Sequence, residues 1–383
     1  GHTGAFRGGR KGGLIRMSES DCLAGFQVPH NLFPRTAVVC LSPNHGGMEI
    51  SSRTLASRLS KWSEGCIFIV RRNSWLEEIA REASLAHVPI AMKHHFSVNG
   101  IRQIRKALKD YDIRLVIYAG SSEMRTLRFC INQKIDRFVV RHGTPKTKSK
   151  TDLIHRFLWS KVTHHMAISN LMRSNVSELF PVKGRSVFVN YVSQGEKLES
   201  LPIPKAISAE ENTLRIVQIA RVERVKGQFD GLKVLQKIRD SAVNAKLTFY
   251  GSGQDLSELK EAARARGLSA HVSFEGQVRE PYKYLGEHHV FLYPSYSEGF
   301  GNSFAEALSA GIHSLCYDNT CLPEYRHLGF CYEMVRTGDI DSLVARIREI
   351  WITRESQPLE NREVARSVFS DAAEMTRLHN ALY

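Results

Sequence analysis

Two glutamates, Glu298 and Glu306, lie eight positions apart across a glycine-rich segment. The apolar run 290–293 before them predicts a short buried strand, and the apolar residues of 304–308 predict a helix that ends at Gly311. Glu298 is therefore expected at the carboxyl end of a strand, and Glu306 one turn into the following helix. In open α/β sheets, ligands bind at this edge. Two carboxylates there can accept hydrogen bonds from sugar hydroxyls.

The turn between the two glutamates is predicted to bind an anion. Glycines at two of its positions let backbone N–H groups point at a phosphate. The residues concerned are Gly299, Phe300, Gly301 and Asn302. An alternative exists for Glu306, because residues 303–306 fit the S-x-x-E capping box, in which the glutamate satisfies the helix's own N–H groups. The capping box gives no role to the glycines before it, so we favour the ligand-binding interpretation.

Three cations, Arg221, Arg224 and Lys226, follow one predicted strand and precede the next predicted helix. Cations are disfavoured at a helix N-terminus by about 0.3–1 kcal/mol each. A bound diphosphate would explain them, since Glu223 neutralises only part of the charge. The alternative is an exposed loop whose side chains are solvated. We favour the diphosphate, with Arg221 and Lys226 stabilising the negative charge that develops when a sugar bond breaks.

Other motifs carry less information. Gly251 and Gly253 follow a predicted strand and allow close backbone approach, but the third glycine of a dinucleotide fingerprint is missing. The three adjacent histidine pairs are poor metal ligands, because adjacent side chains diverge. Of two D-x-D segments, 110–112 and 339–341, neither follows an apolar strand, and the second predicts a helix N-cap. We predict that the protein requires neither a metal nor another cofactor.

The elements that must position these residues alternate along the chain between strand and helix, which predicts parallel, doubly wound α/β sheets. The predicted strands are 36–41, 66–70, 115–118, 138–140, 214–219, 247–250, 272–274 and 290–293, and the predicted helices include 49–62, 101–109, 228–240, 256–266 and 371–383. No internal repeat is evident beyond this duplication of architecture.

The 383 residues are enough for two domains, each with its own core. Pro- and Ser-rich residues 194–213 lack periodicity and are predicted to form the linker. The predicted division is an N-terminal extension at 1–35, partly a tag sequence before Met17, a first domain at 36–193, the linker at 194–213, a second domain at 214–370 and a terminal helix at 371–383.

Charge is divided unequally between the halves. Residues 1–195 hold 30 Lys and Arg against 13 Asp and Glu (+17), whereas residues 196–383 hold 23 against 26 (−3). The basic half should attract an anionic surface, although a solvated basic face is the alternative. Zinc-finger spacing and RNP-like segments are missing, which argues against nucleic acid as a partner. An anionic membrane surface or an acidic glycan is favoured, and the densest cluster, 141–150, directly follows a predicted strand.

The seven cysteines form no C-x-x-C motif, and several lie in apolar strands, as expected for reduced thiols of a cytosolic protein. No apolar run approaches the roughly 20 residues of a membrane-spanning helix. We therefore expect a cytoplasmic protein with, at most, peripheral attachment to the inner face of the plasma membrane.

Taken together, these motifs resemble the retaining glycosyltransferases of family 4, including those that build bacterial lipopolysaccharide and cell-surface polysaccharide. The resemblance covers about Thr36 to about Ile350 and is more specific in the second half of the chain. The motifs that carry it are, in chain order, Gly46–Gly47, Arg141–Gly143, Arg221 with Lys226, and the pair Glu298 and Glu306.

The resemblance implies the GT-B architecture, in which two doubly wound Rossmann-like domains face each other across a cleft. It implies a hexosyltransferase that uses a nucleotide diphosphate sugar, with a UDP-sugar favoured. The leaving phosphate itself would deprotonate the acceptor, so no nucleophilic side chain is needed. The acceptor would be lipopolysaccharide core or a lipid-linked glycan.

The resemblance also assigns roles to residues. In the second domain, Glu306 would bind the ribose, Glu298 with the amides of the glycine-rich turn would bind the sugar, and Val278 would lie in the base-binding loop. In the first domain, His142 would orient the transferred sugar, and Gly46 and Gly47 would allow close approach of the acceptor. Two alternatives remain open: a nucleotide-sugar epimerase with the same architecture, and a non-catalytic binder of glycan or nucleic acid.

Overall fold

The structure is a computed structural model that describes residues 31–44, 46–195 and 197–383. The predicted N-terminal extension therefore lies largely outside the described residues. Its last part, 31–35, is described, and Phe33 there is buried and forms a parallel bridge with Ser63.

The first domain is built on a seven-stranded parallel sheet. Its strands are β1 (Thr36–Cys40), β2 (Cys66–Arg71), β3 (His87–Ile90), β4 (Leu115–Ala119), β5 (Arg137–His142), β6 (His164–Ala167) and β7 (Ser186–Val189). Their order is β3-β2-β1-β4-β5-β6-β7. The order reverses direction at β1, so the sheet is doubly wound and the carboxyl ends of all seven strands share one edge.

Six helices connect these strands: α1 (Gly47–Trp62), α2 (Trp75–Glu82), α3 (Val98–Asp110), α4 (Met124–Leu127), α5 (Leu153–Leu158) and α6 (Asn170–Leu179). Local capping explains several starts. The side chain of Ser97 accepts a hydrogen bond from Gly100 N, which is why α3 begins three residues before the predicted helix. Asp152 and Ser169 cap α5 and α6 in the same way.

The second domain repeats the design with six parallel strands in the order β10-β9-β8-β11-β12-β13. The strands are β8 (Leu214–Ile219), β9 (Ala245–Tyr250), β10 (Val272–Gly276), β11 (Val290–Tyr293), β12 (His313–Tyr317) and β13 (Glu333–Val335). The remaining helices are α7 (Lys197–Ser200), which lies between the sheets, and α8 (Gln228–Asp240), α9 (Leu256–Ala265), α10 (Asn302–Ala310), α11 (Glu324–His327), α12 (Ile340–Thr353), α13 (Asn361–Phe369) and α14 (Asp371–Leu382). The predicted α/β class with two doubly wound sheets is confirmed.

Helix α14 returns to the first domain. Met375 and Leu378 are fully buried in the same apolar cluster as Val38 of β1. Arg58 of α1, itself 6% exposed, binds Glu374 at 2.6 Å and Asp371 at 2.5 Å. Because removing one partner of a buried ion pair leaves an uncompensated charge, this contact fixes the end of the chain on the first domain.

The segment between the two sheets, where we predicted the linker, has some local structure of its own. It contains the one-turn helix α7, and Leu198 and Leu201 are buried in the core of the second domain. Of the cysteines, the six described ones are free thiols, and Cys40, Cys130, Cys316 and Cys321 among them are buried.

Candidate active site

Glu298 lies just beyond the end of β11, and three donors converge on one of its oxygens. The hydroxyl groups of Tyr293 and Ser295 donate to Oε1 at 2.7 and 2.8 Å, and Lys226 Nζ donates at 2.8 Å. Burial, and then the charge of Glu298, raise the pKa of Tyr293, so its phenol stays protonated and remains a donor. The carboxylate, only 9% exposed, is thus held in one orientation.

The helix that follows begins with an open N-terminus. Gly301 precedes α10 in the left-handed region (φ 73°), and no side chain caps the helix. The alternative capping box at 303–306 is therefore wrong, because the helix starts at Asn302, one residue before Ser303. Uncapped N–H groups and the helix dipole leave this turn able to bind an anion.

Within the turn, the side chain of Phe300 points into the core of the second domain. Its side chain is 5% exposed and belongs to the apolar core, and its carbonyl oxygen accepts a hydrogen bond of 2.6 Å from Tyr325. Phe300 therefore anchors the turn to the core, whereas a Cβ on Gly299 would face the first domain at Gly143.

Glu306 is 6% exposed, and its partner was missed by sequence reasoning. Lys197 of α7 places its ammonium 2.5 Å from Glu306 Oε1 and 5.2 Å from the ring centroid of Tyr282. Lys197 lies 109 positions earlier, in a segment without any motif, so no sequence signal indicated it. The carboxylate faces the interdomain segment, where a ligand could replace the lysine.

The three cationic side chains of the β8–α8 loop, which we predicted to bind a diphosphate, have three different partners in the structure. Lys226 joins Glu298, whereas Arg221 is 67% exposed and pairs with Glu223 at 3.0 Å. Arg224 pairs with Glu258 of α9 and stacks on Phe229. The structure thus brings Lys226 to Glu298, leaves Arg221 exposed beside Glu223, and turns Arg224 toward α9.

Close packing of loops explains the glycines of this domain. A Cβ on Gly227 would lie 1.9 Å from the carbonyl oxygen of Pro294, and one on Gly251 would lie 2.0 Å from that of Ala220. Gly251 therefore braces the β8 loop, and any contact with a ligand stays a prediction. Val278 is half-buried against the core, and its predicted place in a base-binding loop is likewise untested.

The first domain forms the opposite wall. A Cβ on Gly47 would lie 3.6 Å from Nδ2 of Asn302, and one on Gly299 would lie 3.4 Å from the carbonyl oxygen of Gly143. The carboxyl ends of β1 and β5 therefore face the N-terminus of α10. The close approach predicted for Gly47 is made, in this structure, to the second domain.

His142 lies at the end of β5 but is buried, with 5% of its surface exposed. Its Nε2 is 3.0 Å from Nδ1 of His165, and its ring packs against Trp159 and Phe180. Burial lowers the pKa of His142, so the ring is neutral. The neighbouring Gly143, rather than this ring, forms the wall of the cleft, and the predicted role of His142 on the sugar stays a prediction.

Glu324 of α11 links the two domains and was not anticipated. Its two carboxylate oxygens each accept a backbone hydrogen bond of 2.7 Å, from Asn170 N and Leu171 N at the start of α6. A carboxylate at a helix N-terminus is stabilised by the dipole. We call this contact the interdomain clasp, and it joins the two domains directly.

The described residues offer neither a cluster of metal ligands nor a helix that could span a membrane. Within 31–44, 46–195 and 197–383, no group of three or more His, Cys, Asp or Glu side chains could hold a metal ion. In the same part of the chain, no helix combines the length and apolarity needed to cross a bilayer.

The second domain is similar to a known family of proteins. Residues 202–364 match the family model described as glycosyl transferases group 1. This part of the chain is thus similar to that family, and the motif pair of Glu298 and Glu306 lies inside the matched residues.

Curated relatives are distant. The chain is 26% identical over 141 residues to the uncharacterized glycosyltransferase MJ1059 of Methanocaldococcus jannaschii, a match that covers 36% of this chain and 35% of that protein. It is 22% identical over 279 residues to the capsular polysaccharide biosynthesis glycosyltransferase CapH of Staphylococcus aureus, covering 69% and 76%. The chain thus spans about a third of the first relative and three quarters of the second.

Solved structures match almost the whole chain. The apo form of lipopolysaccharide outer core galactosyltransferase WaaB superposes with a TM-score of 0.68 at 18% identity, covering 91% of this chain and 99% of that one. Anabaena HepE in complex with UDP superposes with a TM-score of 0.75 at 14% identity over the same shares. These likenesses show the fold, and the predicted GT-B architecture is confirmed.

Proposed function

We propose that the protein is a retaining, metal-independent glycosyltransferase that moves a hexose from a nucleotide diphosphate sugar to a saccharide acceptor. The observation that carries the proposal is the arrangement of Lys226 and Glu298 beside the uncapped N-terminus of α10, directly opposite Gly47. A cation, an oriented carboxylate and free backbone N–H groups in one cleft suit a diphosphate joined to a sugar.

The donor would lie along the edge of the second sheet. Its diphosphate would bind Lys226 and Arg221, its sugar would bind Glu298 and the amides of residues 299–302, and its ribose hydroxyls would displace Lys197 from Glu306. We favour UDP as the nucleotide, since HepE has been solved with UDP-glucose and shares the fold.

The reaction would proceed on one face of the sugar. The bond between the anomeric carbon and the diphosphate oxygen breaks, the acceptor oxygen bonds to the same face, and its proton passes to the leaving phosphate. Lys226 and Arg221 stabilise the negative charge that grows on the diphosphate, and Glu298 positions the sugar. No enzyme side chain forms a covalent bond.

For the acceptor we propose lipopolysaccharide core or a lipid-linked glycan, at the cytoplasmic side of an anionic membrane. The names of WaaB, a lipopolysaccharide outer core galactosyltransferase, and CapH, a capsular polysaccharide biosynthesis glycosyltransferase, support this class. The net charge of +17 in residues 1–195 supports an anionic acceptor or surface.

Thermal-shift screening with UDP-, GDP- and ADP-sugars tests the donor, because a ligand of the folded state stabilises it. Product analysis then tests the reaction with EDTA present. A transferase releases free nucleotide and an α-linked product from an α-linked donor, whereas an epimerase releases a new sugar nucleotide. No stabilisation by any of the three donor classes would refute the proposal.

A further inference from the structure

Helix α5 of the first domain exposes its apolar side chains. None of its residues is buried, and Leu153, Ile154 and Phe157 are 80%, 68% and 51% exposed. Contiguous apolar side chains on a folded surface mark a docking site for a protein or a membrane.

The apolar surface continues beyond this helix. The ring of Phe129 lies 6.3 Å from that of Phe157, and the ring of Phe96 lies 6.3 Å from that of Phe129. Phe96 and Phe129 are 50% and 38% exposed. We call the five residues Phe96, Phe129, Leu153, Ile154 and Phe157 the aromatic ridge.

Two arginines hold the ridge in place. Arg105 Nε donates to the carbonyl oxygen of Phe129 at 2.8 Å, and Arg128 Nε donates to that of Phe157 at 3.1 Å. The guanidinium of Arg128 also lies 4.7 Å from the ring centroid of Phe157. The ridge is therefore preorganised, with cations directly beside its apolar side chains.

The segment of the chain that carries the ridge is strongly basic. Residues 93–161 hold 16 Lys and Arg against 5 Asp and Glu, a net charge of +11. Two of the acids pair with cations of the same segment, Asp110 with Lys106 and Asp136 with Arg114, which leaves the net charge at +11. Such a surface repels a second copy of itself and attracts an anionic one.

We propose that the aromatic ridge docks the first domain on an anionic phospholipid bilayer. Aromatic and aliphatic side chains enter the interface, and the flanking Lys and Arg side chains bind lipid phosphates. The basic segment 143–150 leads from the ridge to the cleft, where Gly143 faces Gly299. Docking would bring a lipid-linked acceptor close to the donor site. This role in acceptor delivery rests on the proposed function.

Co-sedimentation with vesicles tests the proposal. Wild-type protein should bind vesicles of phosphatidylcholine with 30% phosphatidylglycerol, and the combined variant Leu153→Ser, Ile154→Ser, Phe157→Ser should bind at least about tenfold more weakly. The matched control is Ile203→Ser with Ile352→Ser, two isoleucines of similar exposure (68% and 64%) outside the first domain. Equal binding by wild type and the ridge variant would overturn the proposal, as would no binding by wild type.

A second measurement does not depend on loss of binding. Ile154→Trp should gain fluorescence that brominated lipids quench, whereas Ile352→Trp should not, after the wild-type signal is subtracted. Absence of quenching at position 154 would overturn the proposal. So would light scattering that shows a wild-type dimer and a monomeric ridge variant, since the ridge would then join two copies.

The same variants separate this inference from the proposed function. With a water-soluble acceptor, the ridge variant should retain wild-type turnover and melting temperature. If no donor sugar nucleotide binds or reacts, but the protein still binds vesicles through the ridge, the proposed transferase activity is refuted and the proposed docking surface is not.

Discussion

The ammonium group of Lys226 lies 2.8 Å from Oε1 of Glu298, although 72 positions separate the two residues in the chain. Gly227 makes this possible, because only a glycine lets its backbone pass so close to the carbonyl of Pro294. The cation and the carboxylate of the candidate site are therefore assembled by the packing of two loops, before any ligand binds.

Lys226→Ala should lower donor-dependent turnover by about 100-fold or more, because the developing charge on the leaving diphosphate loses a half-buried cation. The measurement is kcat/KM for nucleotide release. The control is Lys237→Ala, which removes an ammonium paired with Asp341 on the exposed surface. Similar losses in the two variants would contradict the assignment.

Glu306→Ala should weaken binding of a ribonucleotide more than that of its 2′-deoxy analogue. One lost hydrogen bond to a charged group corresponds to about 1.5–3 kcal/mol, or roughly a 10- to 150-fold change in Kd. Calorimetric titration with UDP and 2′-deoxy-UDP measures this. Glu258→Ala, on exposed α9, is the control and should keep the discrimination of wild type. If Glu306→Ala also keeps the wild-type difference in Kd between the two nucleotides, Glu306 does not bind the ribose.

Glu324→Ala should open the interdomain clasp. The start of α6 loses a carboxylate cap, which costs about 1–2 kcal/mol of stability, while Ser169 still caps Met172 N. We expect an increased radius of gyration in small-angle X-ray scattering. Glu349→Ala, 61% exposed and paired with Arg346, is the control. An unchanged scattering curve for Glu324→Ala would show that the clasp does not set the opening.

Gly227→Ala should destabilise the protein by about 3 kcal/mol or more, because a Cβ at 1.9 Å from the Pro294 oxygen forces the two loops apart. Gly267→Ala is a matched control, since its φ of +68° is close to the +73° of Gly227 and nothing lies within 4 Å of its Cβ. The control should lose only the roughly 1–2 kcal/mol of left-handed strain. Urea denaturation measures both, and equal losses would rule out the steric cause.

The free energy of unfolding should fall as the pH is lowered below 6.5, the ordinary pKa of histidine. Burial lowers the pKa of His165 from 6.5 to about 3, and that of His142 is lowered too. In the unfolded chain, these two histidines therefore bind protons near pH 6.5, whereas in the folded chain they stay neutral. Stability is lost progressively from pH 6.5 toward pH 3. The slope should be about 1 kcal/mol per pH unit for each histidine.

Thermal unfolding between pH 7.5 and pH 5 measures this slope. His165→Gln removes one of the two titrations and should flatten the curve. His94→Gln alters an exposed ring and serves as the control. A pH profile for His165→Gln that is parallel to that of wild type would contradict the assignment.

Local patterns in the sequence were sufficient for the class of fold, although five of the thirteen strands, β3, β6, β7, β12 and β13, were not predicted. Alternation of apolar strands with amphipathic helices predicted both doubly wound sheets, because each pattern depends only on neighbouring residues and on the period of the element. Element ends were less accurate where a cap decides them, as at Ser97 before α3. The left-handed Gly301 overturned the capping-box alternative for the same reason, since backbone conformation selects the first residue of α10.

The sequence by itself determined the class of fold and where Glu298 and Glu306 stand on a strand end and a helix. Only the tertiary structure decided their partners. Lys197 and Glu306 are 109 positions apart, and Asn170 and Glu324 are 154 apart, so no local pattern couples them. Such contacts arise from the packing of separate elements, and that packing also turned Arg224 away from the cleft and buried His142.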